Sequence, residues 1–215
     1  MIEDQRVLAA VREEQGSVWL TLDSGEVFEL APGSVPGKLP EVGESISSPL
    51  LAEIKLAAER KQVARRLFAM LDKRLYPVAR LRQKLTDAGF GTEAVDGVLQ
   101  QMNDSGLYSD RRYAEAYCRD CLRSKAVGRR YLEMKLREKR VDPEVAAAVP
   151  GEVLDQETEQ ELALNAARAR WEREKGRDRR KAEARIIRYL VGRGFNTGLA
   201  ARACRRAAGE LEAEA

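Results

Sequence analysis

Residues 131–150 read YLEMKLREKRVDPEVAAAVP. Leu132, Leu136 and Val141, then Val145 and Val149, fall at the spacing that puts apolar side chains on one face of a helix. Asp142, between the two runs, is a residue that starts helices by accepting from the free N–H groups of a first turn. The segment reads as two short helices joined by a tight turn. The same ordered set recurs about fifty residues away on either side, the signature of a repeat architecture. Upstream it is Leu81, Leu85 and Phe90, then Val95 and Val98. Downstream it is Ile186, Leu190 and Phe195, then Leu199 and Ala203.

Each copy stops about two residues before Gly89-Phe90, Arg140-Val141 or Gly194-Phe195 and restarts at Thr92, Asp142 or Thr197, glycine ends and capping starts being the usual punctuation of helices. A further helix precedes each copy, over roughly residues 51–74, 109–125 and 157–176, the second capped by Ser109-Asp110. The chain is therefore expected to be mainly α: three tandem three-helix repeats, nine helices, stacked into an elongated body because each repeat buries its apolar stripe on its neighbours. The expected borders are 51–108, 109–154 and 155–215, with a looser, flexing joint around Pro150-Gly151 to Gln156.

Residues 1–50 read differently, as a small β-rich subdomain. Val18, Leu20 and Leu22 alternate with Trp19 and Thr21, Asp23-Ser24-Gly25 supplies a turn, and Glu26–Leu30 returns. Gln5–Arg12 is a plausible third strand and Val42–Ser47 a fourth, after the interruption by Pro32, Pro36 and Pro40. A lone hairpin is only marginally stable, so these strands must pair together or lean on the helices.

Composition excludes much chemistry. There is no histidine among the 215 residues, which removes Ser-His and Cys-His nucleophiles and imidazole metal sites. The three cysteines, Cys118, Cys121 and Cys204, include a C-x-x-C without a second pair and read as free thiols. Gly33-Ser34-Val35-Pro36-Gly37-Lys38-Leu39 has the wrong spacing and no Ser or Thr for a phosphate loop, so it is a turn. Neither a catalytic centre, a metal nor a cofactor is expected. No apolar run is long enough to span a bilayer, and Met1-Ile2-Glu3-Asp4 lacks the character of a signal peptide. A cytoplasmic protein without a membrane partner, monomeric, is the expectation.

Net charge is only +3, but it is unevenly spread. Residues 1–50 hold nine acidic residues against three basic ones, whereas residues 111–140 hold eleven basic against four acidic, and 165–206 fourteen against four. An acidic head precedes a strongly basic body. The candidates for contact with an anionic partner are Arg129, Arg130, Lys135 and Arg137 in the second repeat and Arg180, Lys181, Arg185 and Arg188 in the third. The competing reading is a solvated helix face paired with nearby glutamates. Tyr113, Ala114 and Tyr117 lie at helical spacing and read as core, with stacking on bases as the alternative.

The stretch Gly106-Leu107-Tyr108-Ser109-Asp110-Arg111-Arg112-Tyr113-Ala114-Glu115-Ala116-Tyr117 resembles the signature of the RecX family, in which an aspartate at a helix start precedes an aromatic-alanine pair and a second aromatic. The continuation is similar too: Arg123, Gly128, Leu132, Leu136 and Lys139-Arg140. In the first repeat Arg74 and Leu81-x-x-x-Leu85, leading to Ala88-Gly89-Phe90, agree as well. The resemblance covers residues 60–150, and 155–210 through the repeat. Ser109 stands where the family commonly has aspartate, and Tyr76-Pro77 replaces a serine start, with proline serving as the first helical residue.

The resemblance implies a non-catalytic regulatory protein whose partner is the RecA filament on single-stranded DNA. It would lie in the filament groove and lower extension, ATPase and strand exchange, modulating recombinational DNA repair and the SOS response. Contact would extend to the DNA within the filament and, weakly, to free DNA. The alternative is a basic helical nucleic-acid-binding protein without a recombinase partner. On this reading the basic residues face either DNA phosphates or acidic patches of the recombinase.

Overall fold

A computed structural model describes residues 6–35, 37–174 and 178–213. Gln5 of the expected first strand, Pro36 of the glycine-rich turn, residues 175 and 176 of the expected third-repeat helix, and the terminal Met1–Asp4 lie outside the described residues. The chain forms two compact units, Met1–Leu107 and Tyr108–Ala215.

In the first unit, β1 (Arg6–Glu14), β2 (Ser17–Leu22), β3 (Val27–Leu30) and β4 (Ser45–Ile46) form an antiparallel sheet in the order β3-β2-β1-β4. The β1–β2 turn is Gln15-Gly16, both with positive φ (50° and 74°), the geometry that matches the twist of the paired strands. Gly25, φ 83°, closes the expected β2–β3 turn. Leu8, Leu20, Leu22, Leu30 and Ile46 form one apolar cluster with Ile54, Ala57 and Ala58 of helix α1 (Ser48–Leu71). The sheet therefore shares its core with the first helix. Lys61 of α1 reinforces this by donating to Ser17 Oγ (2.6 Å) and the Leu30 carbonyl (3.1 Å). It also pairs with Glu29 at 3.3 Å. Arg65 binds the same carboxylate and, as the largest influence on it, holds the Glu29 pKa below the usual range.

α2 (Val78–Asp87) and α3 (Thr92–Asp104) complete the first repeat. The second unit holds α4 (Asp110–Ser124), α5 (Arg129–Glu138), α6 (Pro143–Val153), α7 (Gln156–Glu172), α8 (Arg179–Gly192) and α9 (Thr197–Ala213). Nine helices are thus present among the described residues, in three successive triplets. Within every triplet the first helix packs on the third. The repeating apolar positions Leu81, Leu85, Leu132, Leu136, Ile186 and Leu190 are all fully buried.

The break in each triplet has one geometry. The N–H of Phe90, Val141 or Phe195 donates back to the carbonyl of Leu85, Leu136 or Leu190 at 3.3, 3.1 and 3.2 Å. The residue before it has positive φ: Gly89 (94°), Arg140 (61°) and Gly194 (84°). This is the Schellman termination, in which the apolar residue after the turn packs on the one five positions earlier. Repeat 2 therefore places a side-chain-bearing residue where its sisters use glycine, at a cost of order 1 kcal/mol. Arg140→Gly is expected to raise stability by about 0.5–1 kcal/mol, readable as a higher urea midpoint with an unchanged slope.

Three sequence expectations are corrected. Thr92 and Thr197 are the first helical residues, not caps. α3 is preceded by Gly91, whose N–H is taken by Glu59 Oε1 of α1 (2.6 Å), and at the start of α9 Asn196 Oδ1 accepts from Leu199 N (2.8 Å). Each threonine stands one residue too far into its helix to reach the free N–H groups. Pro77 is likewise the cap of α2 rather than its first residue, since its backbone is extended (ψ 149°). The joint at Pro150–Gln156 is not a loose segment: α6 continues to Val153 with Pro150 buried inside it, and only Leu154 and Asp155 separate it from α7. Leu154 is fully buried, and its carbonyl accepts from Arg129 Nε at 2.7 Å.

Backbone packing ties repeats 2 and 3 together. Gly128, which precedes α5, donates to the Arg193 carbonyl at 2.9 Å. A Cβ on Gly128 would meet the Gly194 oxygen at 2.5 Å, and one on Gly194 would meet Tyr131 N at 2.2 Å. Only glycine fits on either side.

Candidate functional site

The signature residues of the second repeat are structural. Ser109 Oγ accepts from Arg112 N, starting α4. Asp110 Oδ2 accepts from Asp142 N at 2.8 Å, so the first helix of the repeat stabilises the start of the third. Glu59 plays the matching part in repeat 1. Tyr113 and Ala114 are buried, and the rings of Tyr113 and Tyr117 stack 6.1 Å apart. Burial raises the Tyr117 phenol pKa well above its ordinary value. These aromatics serve the core.

The cysteines are free thiols. Burial pushes Cys118 up to about 12 and Cys204 up to about 11, so neither is a thiolate near neutral pH. Among the described residues no group of His, Cys, Asp and Glu is arranged to hold a metal ion. No described helix is long and apolar enough to cross a membrane.

The eight candidate cations separate into two sets. Arg129 belongs to the joint: its backbone N–H donates to Glu159 Oε1 (2.8 Å) and its guanidinium lies 3.4 Å from Glu159 Oε2, a carboxylate only 7% exposed. Arg185 forks onto the buried carboxylate of Glu174 at 2.7 and 3.1 Å. Lys135 pairs with Glu138, and Arg137 with Glu133, each at 2.7 Å along α5. Carboxylates neutralise all four.

Arg130, Arg180, Lys181 and Arg188 are exposed and have no carboxylate partner among the described residues. Arg130 is the second residue of α5, and Arg180 and Lys181 the second and third of α8; neither first turn contains an acidic residue, though Asp178, the cap of α8, accepts from Lys181 N at 2.9 Å. Cations there oppose the helix dipole at about 0.3–1 kcal/mol each. Arg188 follows Arg180 two turns later, so both fall on one face of α8. Charge of one sign at unfavourable positions is what a surface built for an anionic partner contains.

Lys139 and Arg140 extend this exposed set. Lys139 lies over the Tyr117 ring at 5.0 Å. Residue-by-residue comparison of the three repeats carried the signal for Arg140, since glycine holds that position in the other two.

Comparisons with known proteins agree with this architecture. A family model for the second three-helix domain of RecX matches residues 109–149, and one for its third three-helix domain matches 157–204. The regulatory protein RecX of Amycolatopsis mediterranei is 32% identical over 149 residues, covering 69% of this chain and 85% of that protein. That of Thermobifida fusca is 33% identical, covering 63% and 73%. That of Mycolicibacterium smegmatis is 29% identical, covering 78% and 86%. A crystal structure of a regulatory protein RecX superposes with a TM-score of 0.72 at 19% identity, covering 90% of this chain and 96% of that one. RecX from Lactobacillus salivarius gives 0.64 at 17% identity, covering 69% and 96%. With two family domains in sequence, the fold, and 32% identity over most of a curated member, the chain belongs to the RecX family of regulatory proteins.

Proposed function

We propose that this protein is a non-catalytic regulator that binds the RecA filament on single-stranded DNA and restrains its extension, ATPase and strand exchange, acting in the cytoplasm on recombinational repair and the SOS response. The observation that carries the reading is the set of exposed, unneutralised cations, Arg130, Arg180, Lys181 and Arg188, on the second helices of repeats 2 and 3. A nucleoprotein filament is a polyanion, and release of its counterions supplies affinity without a shaped pocket. The joint through Gly128, Gly194 and Glu159 holds these helices in one unit, so their charges meet the filament together. No cofactor enters, and the acting species is a monomer.

Cations alone also fit a protein that coats bare DNA. The two readings separate by stoichiometry. RecA ATPase on single-stranded DNA is measured while this protein is added far below the amount that covers the DNA. The expected result is strong inhibition in that range. Inhibition that begins only as the DNA becomes saturated identifies a competitor for free DNA and rejects the filament reading.

A further inference from the structure

Residues 73–84 carry Lys73, Arg74, Arg80, Arg82 and Lys84 and no carboxylate. They form the loop after α1 and most of α2. Arg82 is neutralised by Asp96 on α3, through contacts of 2.6 and 2.8 Å. Among the described residues the other four have no carboxylate partner, Arg80 turning to Gln83 at 2.9 Å. Two of them converge on one ring: the Arg74 guanidinium lies 4.5 Å from the Tyr76 centroid and Lys84 Nζ 5.5 Å from it. The hydrogen bond from Arg74, followed by the charges of Arg74, Lys84 and Arg80, draws the Tyr76 pKa below its ordinary value. Leu75, beside it, is an exposed apolar side chain.

Cations gathered around an aromatic ring without an acid to balance them attract a polyanion that also has flat faces. Single-stranded nucleic acid combines both properties: its phosphates seek the charges and its unstacked bases lie on aromatic rings or guanidinium planes. An acidic protein surface would meet the charges but has no use for the stacked Arg74–Tyr76 pair. We infer that this corner of repeat 1 is a single-stranded nucleic-acid contact, with bases stacking on the Arg74–Tyr76 pair and phosphates met by Lys73, Arg80 and Lys84. The site belongs to the first unit, whereas the cations of repeats 2 and 3 belong to the second. It does not depend on the recombinase reading, because its ligand is the DNA itself.

The test is fluorescence anisotropy of a labelled single-stranded oligothymidylate with the full chain, titrated over a range of salt. Arg74→Gln/Lys84→Gln is expected to bind at least fivefold more weakly at low salt. Its salt slope should be shallower by about 0.7, the loss of the one phosphate contact assigned to Lys84 on a single strand. Tyr76→Phe keeps the ring and should bind as the parent does, whereas Tyr76→Ala should lose about fivefold or more. Thermal melting of each variant checks the fold, and the glutamine and phenylalanine variants decide the matter even if Tyr76→Ala does not fold. Unchanged affinity and slope in the double glutamine variant overturn the site. An equal loss in Tyr76→Phe and Tyr76→Ala overturns the stacking role. If the double variant binds the oligonucleotide normally but loses affinity for DNA-free RecA, the cluster is a protein contact and the inference is wrong.

Discussion

Gly194→Ala is expected to destabilise the second unit by at least about 3 kcal/mol, a large fraction of the roughly 5–15 kcal/mol that holds an ordinary domain folded. Two independent penalties coincide. The residue has φ 84°, a conformation that alanine adopts only with strain. The new Cβ would also lie 2.2 Å from the Tyr131 backbone nitrogen and 2.8 Å from its Cα. Backbone cannot move aside as a flexible side-chain tip can, so the start of α5 must separate from the end of α8. The Gly128–Arg193 hydrogen bond would be lost with that contact. Gly192→Ala is the matched control: it lies two residues earlier, in α8, with nothing within 4 Å of its Cβ position. Alanine there should be neutral or stabilising by up to about 1 kcal/mol, since it favours the helix. Urea denaturation followed by circular dichroism compares the two. Equal midpoints for Gly194→Ala and Gly192→Ala would show that repeats 2 and 3 are not joined through this contact.

Replacing Arg130, Arg180, Lys181 and Arg188 together by glutamine is expected to weaken filament binding by roughly a hundredfold or more at low salt and to flatten its salt dependence by about 3, if each cation faces a phosphate of the single strand. The fold should be unaffected, because all four are exposed and three are cations at a helix start, where positive charge is unfavourable. Lys135→Gln with Arg137→Gln is the control. Both residues are already paired with carboxylates on their own helix. Their loss should change affinity by less than about threefold, in keeping with the small net worth of exposed pairs. Affinity against salt for the two variants, measured on preassembled filaments, checks the assignment. Equal losses in both would assign binding to overall charge rather than to the unneutralised set.

Much of the fold is legible because its physics is local. The Leu85–Phe90, Leu136–Val141 and Leu190–Phe195 spacings are the contact that a Schellman turn requires, so reading them along the chain located the helix ends. The helix starts were less legible. The caps of α3 and α9 depend on Glu59, distant in sequence, and on Asn196 rather than the adjacent threonine. The Gln15-Gly16 turn was hidden because glutamine is not a residue that usually marks positive φ. The joint between repeats 2 and 3 was invisible, since close approach of Gly128 and Gly194 is a property of packing.

The candidate surface divides in the same way. Local excess of positive charge points to α5 and α8 but does not show which of their cations carboxylates neutralise. Arg129 and Arg185 are neutralised by Glu159 and Glu174, buried acids 30 and 11 residues away, that composition alone does not connect to them. The Tyr76 cluster is not legible in the sequence, because Arg74 and Lys84 meet only when the chain turns between α1 and α2.

Sedimentation of RecA filaments assembled on single-stranded DNA, with this protein present at low ionic strength, tests the filament reading most directly. The protein should pellet with the filaments, in saturable amounts, and return to the supernatant as salt is raised. If it stays in the supernatant at low ionic strength while the filaments pellet, it does not act on them, and the exposed cations of repeats 2 and 3 serve another partner.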